Sequence, residues 1–149
     1  MPENAFIFVY TGQLIERKNL HFLLRSFANA FTNKKSVYLL ILGSGVQYDE
    51  LVEQYKDVKN IDFRGNVLNV HQYLEGCDVY VSASKSEGLP NGVLEAMATG
   101  LPVLLSDIEQ HMEIYNINHD IGCAFRQNDA TELIQKMHML CLLYTSPSP

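Results

Sequence analysis

The feature that most constrains the fold of this chain is a regular alternation of short apolar runs with helical patterns. The apolar runs are rich in Val, Ile and Leu, which is typical of strands that are buried on both faces of a parallel sheet. Between the runs, apolar residues recur at the spacing of one helix face. The runs are AFIFVYTG, VYLLILGSG, NIDFRG, DVYVSAS, LPVLLSD and IGCAFRQ. The chain is therefore expected to be α/β, with a parallel sheet of about six strands and helices on both faces.

Composition limits the classes of partner and compartment. The chain has 149 residues, of which 47% are hydrophobic and 19% are charged, as in a single globular domain. Its formal net charge is −6 and it has no basic stripe, so we expect no nucleic-acid partner. No apolar stretch reaches the ~20 residues that span a bilayer, and the N-terminus has no signal-peptide pattern. These features predict a cytoplasmic protein.

The histidines and cysteines are scattered, without the spacing of metal ligands, so we predict no metal site. We expect the cysteines to be free thiols in a reducing compartment, and the histidines to lie at the surface or on helix faces. The cysteines are Cys77, Cys123 and Cys141, and the histidines are His21, His71, His111, His119 and His138.

The C-terminal sequence LCLLYTSPSP does not continue the pattern of the rest of the chain. An apolar run breaks there into Ser-Pro-Ser-Pro, which favours neither a helix nor a strand. We therefore predict a domain at residues 1–140, followed by a tail at residues 141–149 that is artefactual or disordered and has no function.

In a parallel α/β sheet, ligands bind beyond the carboxyl ends of the strands. Gly43 and Gly45 follow the second strand, where glycines allow the backbone to approach a ligand closely. Gly12 ends the first strand, and the basic pair Arg17 and Lys18 follows it, which suits a diphosphate. Turn glycines and a solvated loop are the alternative interpretations of these two segments.

Two glutamates lie after the fourth strand. Glu87 is in the loop EGLPNG, and Glu95 is one turn inside the next helix, with its side chain leaning toward the helix N-terminus. Both carboxylates are expected to face one crevice. A carboxylate accepts bidentate hydrogen bonds from vicinal hydroxyls, so the pair suits a ribose or another sugar. For Glu95 the alternative is a purely electrostatic interaction with the helix dipole.

Taken together, these segments resemble family 4 of the retaining glycosyltransferases, in the GT-B group. EGLPNGVLEAMATGLPVLLSD is similar to the E-x7-E segment of that family, with Glu87 and Glu95 as its glutamates. TGQLIERKN is similar to its G-R-L-x-x-x-K-G, and LLILGSG to its l-x-i-x-G-x-G. NIDFRGNV and GCDVYVSAS are similar to its v-x-F-x-G and a-D-v-f-v-x-p-S segments. The matches run in the family's order from Ala5 to about Met139.

The resemblance implies a Rossmann-like domain, the C-terminal half of a GT-B fold, that binds a nucleotide-activated sugar, with UDP-sugars favoured. Lys18 and Arg17 would contact the diphosphate, and Glu95 would bind the ribose hydroxyls. Glu87 is the catalytic candidate, since it would contact the donor sugar or its phosphate. The full set of implied donor-binding residues is Gly12, Arg17, Lys18, Gly43, Gly45, Asn66, Val67, Glu87, Gly88, Leu89, Pro90 and Glu95.

The remaining implied contacts come from two loops. The backbone around Asn66 and Val67 would meet the base, while Gly88, Leu89 and Pro90 would hold their loop close to the sugar phosphate. Donor binding would need no metal and no cofactor, because the nucleotide sugar is itself a substrate.

Two positions depart from the family pattern. Gln13 stands where the family has an arginine, which removes one positive charge from the phosphate site. Arg17, beside Lys18, would compensate for that loss. Asn19 stands where the family has a glycine, which is a mild change because asparagine also tolerates a left-handed backbone.

The resemblance covers only the donor-binding half of a two-domain enzyme. A glycan or lipid-linked acceptor would bind through an N-terminal domain that this sequence lacks. The full-length enzyme would act in cell-surface polysaccharide synthesis and would be peripherally associated with a membrane. The chain alone is therefore expected to be inactive. One alternative is a non-catalytic sugar-nucleotide-binding subunit that needs a partner chain. A nicotinamide-dependent Rossmann protein is disfavoured, because a lone Gly12 ends the first strand instead of G-x-G-x-x-G.

Overall fold

The computed structural model describes residues 2–144, which form one six-stranded sheet with helices between successive strands. The strands are β1 (Phe6–Thr11), β2 (Val37–Leu42), β3 (Ile61–Gly65), β4 (Val79–Ser82), β5 (Val103–Ser106) and β6 (Gly122–Phe125). The helices are α1 (Leu20–Ala30), α2 (Tyr48–Gln54), α3 (Val70–Glu75), α4 (Asn91–Ala98), α5 (Glu109–Tyr115) and α6 (Ala130–Tyr144). Short 3₁₀ turns lie at Glu16–Lys18 and His119–Ile121.

The strand order is β3-β2-β1-β4-β5-β6, and every neighbouring pair is parallel. The chain therefore winds outward from β1 in one direction and then, starting at β4, in the other. This doubly wound order confirms the predicted Rossmann-like sheet. It also opens a crevice where the order reverses, between the loops that follow β1 and β4.

Alternate strand residues face two separate cores, which explains why the strands are apolar except at their carboxyl ends and in the edge strand β3. One face packs Phe8, Leu39 and Val81 against α1, α2 and α6. The opposite face packs Val9 and Leu40 against α3 and α4. Because both faces are covered, the apolar runs of the sequence are continuous.

Helix α6 crosses the boundary predicted at residue 140. It continues to Tyr144, with Leu140 buried and Cys141 packed against the core beside α1. The rest of the predicted tail, residues 145–149, lies outside the described residues. Within residues 2–144, no helix has both the length and the apolar character to cross a bilayer.

Candidate functional site

An open crevice of about 490 Å³ lies at the carboxyl edge of the sheet, where the strand order reverses. The ends of β1, β2 and β3 form its floor, and the first turn of α4 forms one wall. The lining residues are Thr11, Gly12, Gln13, Leu42, Gly43, Ser44, Gly45, Asn66, Val67, Val70, Asn91, Gly92 and Glu95. Six of the residues predicted from the sequence are among them: Gly12, Gly43, Gly45, Asn66, Val67 and Glu95.

Gly43, on the floor of the crevice, is required by the packing of the loops that follow β1 and β2. Gly43 has a φ of 144°, and a Cβ at this position would overlap the carbonyl oxygen of Gly12. The Gly12 N–H donates to the Leu42 carbonyl at 3.0 Å, and the Gly43 N–H donates to the Gly65 carbonyl at 2.8 Å. The close approach that the sequence predicted at Gly43 is thus an approach to the neighbouring loop, which leaves a shallow, side-chain-free floor.

The loop after β3 forms a wall with both apolar and polar groups. The Asn66 amide donates to the Ser44 hydroxyl at 2.9 Å, which ties this loop to the loop after β2. Val67 and Val70 are half-buried beside it and line the crevice. Apolar side chains next to backbone polar groups are the surroundings in which a flat heteroaromatic ring is held.

Helix α4 begins directly against the end of β1. A Cβ on Gly92 would overlap the Tyr80 hydroxyl and would lie 2.8 Å from the Thr11 hydroxyl, so only glycine allows this approach. The buried Tyr80 hydroxyl donates to the Thr11 carbonyl at 3.0 Å, and burial raises the pKa of Tyr80 to about 12. Asn91 and Gly92, in the first turn of α4, line the crevice. First-turn N–H groups have no intrahelical partners, and that of Asn91 donates to the Leu89 carbonyl at 2.8 Å. Glu95 is exposed one turn further along the same wall.

A second group of polar side chains, formed by Lys18, Ser84 and Glu87, lies on the other side of the contact between Thr11 and Gly92. Lys18 Nζ contacts both oxygens of Glu87, at 2.7 and 2.8 Å, with the two side chains only 15% and 6% exposed. The Ser84 hydroxyl donates to Glu87 Oε2. This ion pair borders a small cavity of about 20 Å³. Since burial makes an unpaired charge costly, each partner holds the other in place.

The remaining predicted residues surround this ion pair. Arg17 is exposed, with Nη1 3.4 Å from the Ser86 carbonyl and 3.9 Å from Glu87 Oε1. Pro90 is buried, lines the small cavity and immediately precedes α4. Gly88 and Leu89 are exposed, and no described heavy atom lies within 4 Å of a Cβ built on Gly88.

The expectation that Glu87 and Glu95 face one crevice is therefore wrong for the structure described here. They lie in adjoining cavities that share Thr11 and Gly92 as walls. The reason is the tight packing of α4 on β1, which fills the space between the two carboxylates. The sequence predicted where α4 lies in the chain. It did not predict how closely α4 packs on β1, because no local sequence pattern indicates that distance.

Several residues at these cavities were missed by the sequence analysis. Thr11 and Gly92 border both cavities, and Ser44 and Asn91 border the larger one. Thr11 and Ser44 stand next to predicted glycines at strand ends, so position after a strand was the available signal for them. For Asn91 and Gly92 the signal was their position at the start of α4, after the predicted Gly88–Pro90 loop. His111 lies on a helix face, that of α5, which was one of the two expected positions, and there it is completely buried in contact with Ser82 and Ser106. No signal in the sequence distinguished it from the other histidines.

Asn19 adopts the left-handed backbone that the sequence comparison suggested, with a φ of 62°. Its amide donates to the Ala83 carbonyl at 3.1 Å and to Asn128 Oδ1 at 3.0 Å. This residue therefore anchors the Arg17–Lys18 turn to the end of β4. Among residues 2–144, no three His, Cys, Asp or Glu side chains are gathered as a metal-ligand group, and metal independence stays a prediction.

Comparisons with known proteins agree on one family. The family described as "Glycosyl transferases group 1" matches residues 5–142. The chain is 34% identical over 110 residues to the O-antigen biosynthesis glycosyltransferase WbnH of Escherichia coli, covering 74% of this chain and 31% of WbnH. It is 30% identical over 144 residues to the UDP-Gal:alpha-D-GlcNAc-diphosphoundecaprenol alpha-1,3-galactosyltransferase of Escherichia coli, covering 92% of this chain and 37% of that enzyme.

A solved structure shows the same fold. A TarM variant of S. aureus, crystallised with UDP among its ligands, superposes with a TM-score of 0.84 at 20% identity, covering 92% of this chain and 28% of TarM. The chain spans about a third of the length of the two curated relatives. The match over residues 5–142 confirms the resemblance drawn from the motifs, and the chain belongs to the glycosyl transferases group 1 family.

Proposed function

We propose that this chain is the donor-binding domain of a retaining glycosyltransferase and that it binds a nucleoside diphosphate sugar, with UDP-sugars favoured. The observation that carries the proposal is the crevice at the reversal of strand order, where the first turn of α4 and Glu95 face the loops that follow β1, β2 and β3. In open α/β sheets, this is the position at which nucleotides bind.

Each part of the crevice suits one part of such a donor. Glu95 accepts hydrogen bonds from the two vicinal hydroxyls of the ribose. Asn66 and Val67 hold the base against the loop after β3. The diphosphate lies over the glycine floor, where the free N–H groups of α4 and the positive end of its dipole offset negative charge.

Lys18 and Arg17 supply the positive charge for the diphosphate. An ammonium group has three N–H donors, so Lys18 retains one donor when two are used by Glu87. Arg17 is exposed beside it and is free to turn toward a phosphate. No cationic side chain of the described chain lines the larger crevice itself, where Gln13 takes the family's arginine position. The proposed phosphate site thus depends on these two neighbouring cations.

Glu87 is the catalytic candidate in this proposal. Its carboxylate has about four lone-pair sites, and Lys18 and Ser84 occupy three of them. The remaining site accepts a hydroxyl of the transferred sugar. The negative charge also stabilises positive charge that develops on the sugar as its bond to the diphosphate breaks.

Three similar proteins support the choice of donor and pathway. The galactosyltransferase relative is named for UDP-Gal, and the TarM structure contains UDP. WbnH is named for O-antigen biosynthesis. By analogy, the complete enzyme transfers a sugar to a glycan or lipid-linked acceptor held by another domain, in polysaccharide synthesis.

The test is a calorimetric titration of the 149-residue chain with UDP-, GDP- and ADP-sugars. We expect saturable binding, tightest for a UDP-sugar. Tighter binding of a GDP- or ADP-sugar would overturn the choice of uridine. Absence of binding by all three donors at millimolar concentration would overturn the proposed function.

A further inference from the structure

A buried polar network lies beneath the Glu87 carboxylate. His111 Nε2 is 3.4 Å from the Ser82 hydroxyl, which is 3.2 Å from the Ser84 hydroxyl, and Ser84 donates to Glu87 Oε2. A second route runs through Ser106, whose hydroxyl lies 3.2 Å from His111 Nδ1 and donates to the Ser84 carbonyl at 2.8 Å. Both routes from the histidine end on Ser84.

The members of this network are almost inaccessible to water. His111, Ser84 and Ser106 are 0% exposed, and Ser82 is 2% exposed. A buried polar group is costly unless it is hydrogen-bonded, so the positions of these side chains are coupled to one another. His111 itself contacts the hydroxyl of Ser82 on β4 and both the hydroxyl and the carbonyl of Ser106 on β5.

The available protons fix the direction of each hydrogen bond. His111 Nδ1 lies 2.9 Å from the Ser106 carbonyl oxygen, which only accepts, so Nδ1 carries the proton and Nε2 is an acceptor. Ser82 therefore points its single proton at Nε2 and presents only lone pairs to Ser84. Ser84 is left to donate its own proton to the charged carboxylate, which is the stronger acceptor. No proton then lies between the Ser82 and Ser84 hydroxyls, so the continuous hydrogen-bonded route from His111 to Ser84 is the one through Ser106.

We propose that His111 is a positioning residue for the Glu87 carboxylate, acting through Ser106 and Ser84. The inference rests on the proposed function, because it gives the fixed orientation of Glu87 a purpose at the sugar end of the donor. His111 does not touch the donor. Together with Ser106 it holds the carbonyl of Ser84, whose hydroxyl donates to one carboxylate oxygen, while Lys18 holds both oxygens from the other side.

The charge state of the ring agrees with this geometry. Burial is the main cause that lowers the pKa of His111 below its ordinary value of 6.5, and the Lys18 charge acts in the same direction. The Glu87 charge and the Ser106 carbonyl oppose that shift. A neutral ring leaves Nε2 free to accept from Ser82, as the proton count requires.

The test compares UDP and UDP-sugar affinities of four variants with those of the parent chain. Ser84→Ala removes the donor to Glu87. His111→Asn keeps an amide donor at the Nδ1 position, whereas His111→Gln moves the amide to the position of Nε2 and leaves the Ser106 carbonyl without its donor. Ser26→Ala is the matched control, since it removes another buried serine hydroxyl, on α1, that has no partner in the described chain.

We expect Ser84→Ala and His111→Gln to lower the preference for UDP-sugar over UDP by about threefold to tenfold, as for one lost hydrogen bond. His111→Asn and Ser26→Ala should keep the parent's preference, and UDP affinity should be unchanged in all four. Thermal unfolding of each variant separates this effect from a loss of folding, which would weaken both ligands together.

The outcomes distinguish the inference from the function on which it rests. An unchanged preference in folded Ser84→Ala, with a lowered preference in Glu87→Gln, would overturn the role of His111 and leave the proposed function standing. Failure of the parent chain to bind either ligand would overturn both.

Discussion

Replacing Gly92 by alanine tests whether α4 really lies against the end of β1. An alanine Cβ at this position would overlap the Tyr80 hydroxyl and would lie 2.8 Å from Thr11 Oγ1 and 3.0 Å from the Thr11 carbonyl oxygen. Tyr80 is 2% exposed, so its ring has no free space into which it can move. Either α4 shifts outward or the bond from Tyr80 to the Thr11 carbonyl breaks.

Three contributions set the expected change in the free energy of unfolding of Gly92→Ala. Overpacking a buried position costs about 1–3 kcal/mol. Losing the Tyr80 hydrogen bond adds about 0.5–1.5 kcal/mol. Alanine recovers up to about 1 kcal/mol because it favours a helix over glycine. We therefore expect Gly92→Ala to lower the free energy of unfolding by about 0.5–4.5 kcal/mol.

Gly88→Ala is the matched control four residues earlier. Among the described residues, no heavy atom lies within 4 Å of a Cβ at Gly88, and Gly88 is not among the positions with positive φ. Its replacement should leave stability unchanged or raise it by up to about 1 kcal/mol. Urea denaturation of both variants measures the difference, and equal effects of the two substitutions would refute the packing described here.

Three further predictions concern metal, transfer and pH. Nucleotide-sugar affinity should be the same with excess EDTA as with excess Mg²⁺ or Mn²⁺, and a strict metal requirement would contradict neutralisation by Lys18, Arg17 and α4. The chain alone should transfer no sugar at a useful rate, because positioning by an acceptor domain is lacking; robust turnover with donor and a lipid or glycan acceptor would disprove this. The pKa of His111 is lowered in the folded state, so the unfolded chain binds more protons just below pH 6.5. The free energy of unfolding of the parent should consequently fall more steeply between about pH 7 and 5.5 than that of His111→Gln, and parallel slopes would contradict the burial of a neutral ring.

Much of the fold could be predicted because its signals are local. The six strands and the doubly wound sheet follow from apolar runs such as residues 37–42, which are buried on both faces. The glycines after β1 and β2 were also visible as turn residues. The domain boundary predicted at residue 140 does not coincide with the end of α6 at Tyr144, because it was placed by the Ser-Pro ending, whereas Cys141 packs on the core.

The site was predicted in part for the same physical reason. Gly12, Gly43 and Glu95 follow strand ends or begin a helix, so topology brings them to one edge of the sheet. The separation of Glu87 from Glu95 depends on tertiary packing around Gly92, and sequence spacing does not report it. The burial of His111 likewise depends on partners from β4 and β5, far away in the sequence.

The most direct test of the central claim is the affinity of UDP for Glu95→Gln. Glu95 lines the crevice and is exposed, so the substitution should leave the fold intact. Glu53→Gln is the control, a helical glutamate with a 73% exposed side chain outside the crevice. If Glu95 binds the ribose, the variant should lose about 1.5–3 kcal/mol of UDP binding, roughly tenfold or more, while the control binds like the parent. Equal UDP affinity of Glu95→Gln and the parent would contradict the placement of the nucleotide in this crevice.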